Sequence, residues 1–228
     1  MIYGIQAAQP DSGGGVGGNP YPDALATADF VLGAYWMSGS QVTAASMIDK
    51  PDLISASGLQ IQDLTTGGVV FIIGALRDLL FTANYTIVFE WSDTDTAGNR
   101  TPISIDESST AGGTDHLYVF CDATMVGFYD QPDPGANRQA EKTGLGSMPA
   151  TRRIAATRTN AKISLSVDGT AVITDTVATS TPSLDVATLG GAHTDAYPGQ
   201  FATMNGHIRR LIVYAEQADA SLPALSTQ

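Results

Sequence analysis

Few residues in this chain have the side chains that bond-breaking needs, and their spacing is uninformative for catalysis. Hydrolysis of a glycosidic bond takes two carboxyl groups facing each other across a cleft, about 5–9 Å apart. Glu90 is the one acid placed mid-strand, in YTIVFEW, while Asp106 and Glu107 are adjacent and so point to opposite faces of a strand. Acyl transfer needs a serine, a histidine and an acid in mutual reach. The histidines are His116, His193 and His207, none in a nucleophile context, and no Gly-x-Ser-x-Gly elbow occurs. His207 opens a strand in NGHIRR, where a solvent-facing imidazole is expected. Arg209 and Arg210 beside it read either as a grip on an acidic partner or, better, as flanking a β-bulge that returns Leu211 and Val213 to the core. No catalytic motif emerges, and a non-enzymatic protein is expected.

Binding chemistry has somewhat more to draw on. Stacking a pyranose takes exposed rings beside amides and carboxylates. Trp36, Tyr129 and Tyr197, with the loop Asp130–Arg138, are the candidates for a glycan site. Against this, Trp36 and Trp91 fall in strand patterns where burial is the ordinary outcome. Cys121 lies in the apolar run LYVFC and reads as a small buried hydrophobe. As the only cysteine it makes no intramolecular disulfide.

The elements that would position these groups are strands. Ile163, Leu165 and Val167 alternate with Lys162, Ser164 and Ser166, the period of a strand buried on one face. Asp168-Gly169 follows, before an extended run from Ala171 to Ile173, and predicts a hairpin with positive φ at both turn residues. Asn205-Gly206 predicts a second such turn before Ile208–Tyr214. Phe30 to Met47 reads as a strand, a Gly39 turn and a return. Leu53 to Asp63 alternates around Leu59 and Ile61, and Tyr85 to Trp91 alternates cleanly. Val69–Ile73 is continuously apolar, as in a strand covered on both sides. Ala75–Phe81 leaves one helical turn undecided. Ile103–Ile105, Leu117–Phe120 and Thr124–Tyr129 predict further strands. Ser92–Arg100 reads as a loop, and Asp130–Met148 as the longest polar insertion.

In the last third of the chain a strand, an Asp-Gly turn, a return strand, Leu-Gly-Gly and then NGHIRRLIVY precede a short polar tail with leucines. That order resembles the end of a laminin-G-like, concanavalin A-like jelly-roll β-sandwich of two antiparallel sheets. More narrowly, it resembles the version found in virion proteins of tailed bacteriophages. Gly206, Ile208, Leu211, Val213 and Tyr214 fill the terminal strand, and Leu222 and Leu225 the tail, which departs from the pattern at Pro223. The resemblance implies the fold more than the task, since such sandwiches host many functions. It brings glycoside hydrolases into view, but the Glu-x-Asp-x-x-Glu run of the laminarinase-like enzymes is absent. It also brings calcium, held at a loop rim by carboxylates. Asp93 and Asp95 are the best-spaced pair, with Asp115 or Asp195 as partners across the rim; without the rest of a loop signature, solvated turn acids are the better reading.

Composition agrees with one large all-β domain. Of 228 residues 43% are hydrophobic, enough for a core, and 24 glycines with 11 prolines suit many turns. A net charge of −12 argues against a nucleic-acid partner, which needs a basic footprint. No basic residue precedes Lys50, and the longest apolar run, Val69 to Leu76, is too short to span a bilayer. A soluble protein made in the cytosol is expected, with no membrane insertion. Residues 1–29 are Gly/Pro-rich and read as an N-terminal arm, with residues 30–228 as the sandwich. Ile2, Tyr3 and Ile5 would anchor the arm on a neighbouring subunit, or the arm folds back on its own domain. The expectation is a structural protein at the surface of a tailed-phage virion, a homo-oligomer assembled with capsid or tail subunits in the host cytoplasm. A carbohydrate-binding adhesion module is the alternative.

Overall fold

The computed structural model describes residues 18–61, 69–82, 84–94, 100–107, 115–132, 136–146, 150–177, 179, 183–191 and 204–227. The strands are β1 (Ala26–Asp29), β2 (Ala34–Met37), β3 (Ser40–Gln41), β4 (Ile54–Ser55), β5 (Gly58–Ile61), β6 (Val70–Phe71), β7 (Tyr85–Asp93) and β8 (Arg100–Asp106). They continue as β9 (His116–Cys121), β10 (Val126–Gln131), β11 (Arg138–Lys142), β12 (Ala150–Arg158), β13 (Ile163–Val167), β14 (Ile173–Asp175), β15 (Val186–Leu189) and β16 (Gly206–Tyr214). Among the described residues there are also two α-helices, α1 (Gly74–Leu80) and α2 (Leu222–Leu225), and three short 3-10 helices at Ala44–Ser46, Pro51–Leu53 and Asp219–Ser221. Among the described residues no helix is long and apolar enough to cross a membrane.

The strands form two antiparallel sheets, the sandwich that the alternating sequence predicts. The larger runs β14-β13-β12-β7-β16-β1-β2-β3, with β5 also on β16 and β4 on β5. The smaller runs β11-β10-β9-β8-β15-β6. Between them lies one core. β7 contributes Tyr85, Ile87, Phe89 and Trp91, and β16 contributes Ile208, Leu211 and Val213. The smaller sheet answers with Ile103, Ile105, Leu117, Val119 and Phe128. Phe89 and Trp91 stack with ring centroids 5.5 Å apart, so the mid-sheet position expected for YTIVFEW is where the largest side chains meet. A second, smaller cluster lies outside the larger sheet, where Leu222 of α2 packs on Val88, Ala155, Ile212 and Tyr214.

Several expectations need correction. Within the stretch read as an arm, Ala26–Asp29 form β1, which pairs with both β16 and β2 and so belongs to the larger sheet. The core residues of β1 are only Ala26 and Ala28, which gave no hydrophobic signal. Ile2, Tyr3 and Ile5 lie outside the described residues. Val69–Ile73 is not a doubly covered central strand: β6 is an edge strand on β15, and Ile72 bridges to Ile48. Of Ala75–Phe81, left open by the sequence, all but the C-cap Phe81 lie in α1, which buries Leu76 and Leu80. The polar insertion Asp130–Met148 contains the end of β10 and all of β11. Arg138 faces inward there, where an apolar residue is the rule, and donates to the buried Asp130 carboxylate and to the Thr159 carbonyl at 2.9 Å. Arg158 from the other sheet reaches the same Asp130 at 3.3 Å and the Thr82 carbonyl at 3.1 Å. Ion pairing therefore joins apolar packing at this end of the sandwich, with the buried Tyr85 opposite Arg158.

The two turns predicted from Asx-Gly pairs diverge. Asp168 and Gly169 both have positive φ, at 48° and 76°, and turn β13 into β14, which starts only at Ile173. Gly206, by contrast, makes no turn, because β15 and β16 belong to different sheets. It lies within β16 opposite Ile61 and Asp93, and a Cβ there would stand 1.9 Å from the Ser92 carbonyl oxygen. Glycine is needed at this position for strand approach. Gly206→Ala should therefore cost about 3 kcal/mol in urea unfolding, whereas Gly146→Ala, with nothing within 4 Å of the added carbon, should stay within about 0.5 kcal/mol.

Candidate functional site

Register lines up the outer face of the smaller sheet in rows. Gln139, Tyr129, Tyr118, Ser104, Thr188 and Phe71 follow one another across β11, β10, β9, β8, β15 and β6. One row along lie Gln131, His116, Asp106 and Val186, and on the other side Glu141, Gly127 and Phe120. Alternation sends their neighbours Leu117, Val119 and Phe128 into the core, so these residues face away from it.

Three aromatic rings form the centre of that face. Tyr118 and Tyr129 stack with centroids 5.0 Å apart and planes 5° from parallel, and Phe120 meets Tyr129 edge-on at 5.8 Å. Gly127 makes this arrangement fit, because a Cβ there would stand 2.4 Å from the Tyr129 ring, which lies back along its own strand. The Tyr129 hydroxyl donates to the Glu141 carboxylate. Burial, and then that hydrogen bond, push the phenol far above its ordinary pKa. Tyr118 and Tyr129 are each only 7% exposed, while Phe120 is half-buried and Glu141 and Gln139 are exposed. Beside the rings, Ser104 Oγ donates to both Asp106 oxygens at 2.8 and 2.7 Å, and His116 Nδ1 lies 3.0 Å from Asp106 Oδ1. The acid sits between serine and histidine. Activating the serine would require the histidine there, so this order holds side chains in place and does not generate a nucleophile.

The other sequence candidates are dispersed. Trp36 lies half-buried on β2 of the larger sheet, next to core-facing Tyr35, and so points away from the face that holds Tyr129. The two rings cannot serve one ligand. Tyr197 lies outside the described residues, as do Asp95, Asp195 and His193. Asp93 is buried on the core side of β7, 3.8 Å from Arg100 Nε, and Asp115 accepts the Ser183 backbone N–H. Among the described residues no group of three or more His, Cys, Asp or Glu is placed to hold a metal ion.

Glu90 is surrounded by cations. Arg153 donates to its Oε2 from Nε at 3.1 Å and from Nη2 at 2.8 Å, and Arg209 Nε to its Oε1 at 2.8 Å. Arg210 bridges on to Asp29 at 3.2 Å, with its guanidinium 5.4 Å above the Tyr21 ring. With both oxygens engaged by guanidinium donors, Glu90 is a structural ion pair. His207 is half-buried, and burial together with Arg209 lowers its pKa. The aromatic row on the smaller sheet was only partly legible in the sequence: alternation marked Tyr129, but its grouping with Tyr118, Phe120 and Glu141 depends on cross-strand register.

No protein-family model matches the sequence, and no curated protein matches it. Solved structures do match in fold. The CBM40 carbohydrate-binding module of a Ruminococcus gnavus IT-sialidase, bound to α2,3-sialyllactose, aligns with a TM-score of 0.54 at 16% identity, over 74% of this chain and 92% of the module. A leech intramolecular trans-sialidase aligns at 0.53 and 15% identity, over 75% of this chain but 26% of the enzyme. The NanB sialidase of Streptococcus pneumoniae aligns at 0.54 and 15% identity, over 70% of this chain and 25% of the enzyme. The fold is thus the concanavalin A-like jelly-roll sandwich, and the chain matches a module-sized part of the two whole enzymes.

One group gives a direct chemical test of the packing. Cys121 is buried, and burial raises its thiol from 9.0 to about 12. The native protein should be inert to a thiol reagent at pH 8 and react once unfolded. A pKa raised on folding means that the folded state holds the proton more tightly. The contribution of Cys121 to stability should therefore be full below about pH 9 and be lost as pH rises from there towards about 12, read as the difference between the native protein and Cys121→Ala. Denaturant midpoints across that range measure it.

Proposed function

We propose that this chain is a non-catalytic carbohydrate-binding module whose site is the aromatic face of the smaller sheet. The observation that carries this reading is the registered group Phe120, Tyr118, Tyr129, Glu141 and Gln139. A partly exposed ring, backed by two stacked rings, stands beside a carboxylate oriented by a tyrosine hydroxyl and an exposed amide. A sugar ring would lie its C–H face on Phe120, and its hydroxyls would bond Glu141 and Gln139. The buried tyrosines act as backing, holding Phe120 and Glu141 in place so that little side-chain freedom is lost on binding. Fold likeness to a module solved with a sialylated sugar supports the reading at the level of class.

Tailed-phage virion decoration is a second reading, favoured by one feature. The motif Gly206, Ile208, Leu211, Val213 and Tyr214, in the pattern that suggested such proteins, forms β16, with Ile208, Leu211 and Val213 in the core and Tyr214 packed with Leu222 on the outer face. On that reading the module is displayed on the outside of a head or tail as a homo-oligomer, with residues 1–17 contributing to assembly, and repetition multiplies weak contacts.

A glycan array probed with the labelled protein tests the first reading. Phe120→Ala should weaken the best hit by about tenfold or more, Glu141→Gln by several-fold, and Trp36→Ala not at all. Binding that survives Phe120→Ala, or is lost with Trp36→Ala, would displace the site. Co-sedimentation with purified particles, heads and tails assayed separately, tests the second.

A further inference from the structure

The outer face of the larger sheet gathers positive charge that an acidic protein would not be expected to concentrate. Register places Arg153, Glu90, Arg210 and Asp29 in one row across β12, β7, β16 and β1. β16 shifts register between Ile208 and Arg210, so two consecutive arginines oppose a single glutamate. Without that bulge, alternation would send one of them towards the core. The next row holds Thr151, Ser92, His207 and Gln60, all at least partly exposed.

We propose that this face binds an oxyanion, a carboxylate or sulfate group on a small hydroxylated ligand. Arg209 spends only Nε on Glu90 and Arg153 spends Nε and Nη2, which leaves both Arg209 Nη atoms and Arg153 Nη1 to donate outward. Their side chains are 34% and 24% exposed. Arg153 and Arg209 share the single carboxylate of Glu90, the nearby Asp168 is matched by Arg152 at 3.3 Å, and Asp29 is matched by Arg210 at 3.2 Å. The two forks around Glu90 thus form a local cationic spot even though the whole protein carries −12. Glu90 holds the two forks on either side of itself and competes with a ligand for their charge. Ser92 and Thr151 bring hydroxyls to the same face, and His207, whose pKa is lowered, offers a neutral imidazole at pH 7. An open cavity of about 260 Å³ lined by Thr151, Arg153, Asp168, Ser226 and Thr227 adjoins Arg153 and gives room for the body of such a ligand. This face looks away from Phe120, so the site stands or falls independently of the glycan reading.

The test is a titration of the full chain with sodium sulfate, with glucuronate and with glucose, followed by amide and arginine side-chain NMR. Saturable shifts centred on Arg153, His207 and Arg209 are expected for one or both anions and none for glucose. Sulfate and glucuronate in parallel distinguish a tetrahedral from a planar preference. Arg209→Lys keeps the charge and loses the fork, and should weaken binding by about tenfold. Glu90→Gln removes the competing carboxylate and should tighten binding several-fold, the reverse of what a purely structural role predicts. Non-saturating shifts, equal affinity in Arg209→Lys, or weaker binding by a folded Glu90→Gln would overturn the proposal. If Glu90→Gln does not fold, Arg209→Lys decides.

Discussion

Everything in this molecule depends on the pairing of β7 with β16. These two strands run side by side through the middle of the larger sheet, and together they bring the heaviest core side chains against the smaller sheet. Because side chains alternate, a slip of one residue would turn Phe89 and Trp91 to solvent and Glu90 into the core. Two local features secure the register. Gly206 lets the backbone close on Ser92, and the bulge at Arg209 resets the phase so that Leu211 and Val213 face inward. That same reset puts both arginines outside, where they meet Glu90. The charged face of the larger sheet is thus a by-product of keeping the core in phase.

Polar groups do structural work elsewhere too. Asp130, Arg138 and Arg158 tie the two sheets beside the buried Tyr85, each charge meeting an opposite charge or a carbonyl. A buried pair of this kind gives little net stability compared with a well-packed apolar substitute, but removing one member leaves an uncompensated charge. The Ser104–Asp106–His116 group and the Tyr129–Glu141 bond play a similar part on the outer face of the smaller sheet. Such directional contacts position side chains at a surface where packing alone would leave them loose.

Much of the architecture was legible because one physical signal, alternation, dominates. Tyr85–Trp91, Ile163–Val167 and Leu59–Ile61 declared their core-facing side chains, although the first two strands are buried on their other face as well, and Asp168-Gly169 declared its turn. Where strands lacked that signal they were missed: β1 has alanines inside, and β11 has an arginine inside. Asn205-Gly206 misled because glycine has two uses, positive φ and close approach, and the chain alone does not say which applies. The site was less legible than the fold. Its residues come from strands that neighbour each other only through pairing, so Phe120 gave no more signal in sequence than any other aromatic in a strand. Glu90 stood out as an acid mid-strand; the arginines that occupy it are as far as 119 residues away.

That separation has a consequence for how the protein is made. The middle of the larger sheet stays open until the chain has been synthesised through Tyr214, since β16 fills the gap between β7 and β1. Until β12 is made β7 has both edges unpaired, and from then until β16 arrives it has one, so Phe89 and Trp91 stay on an open strand until the last long strand closes the sheet.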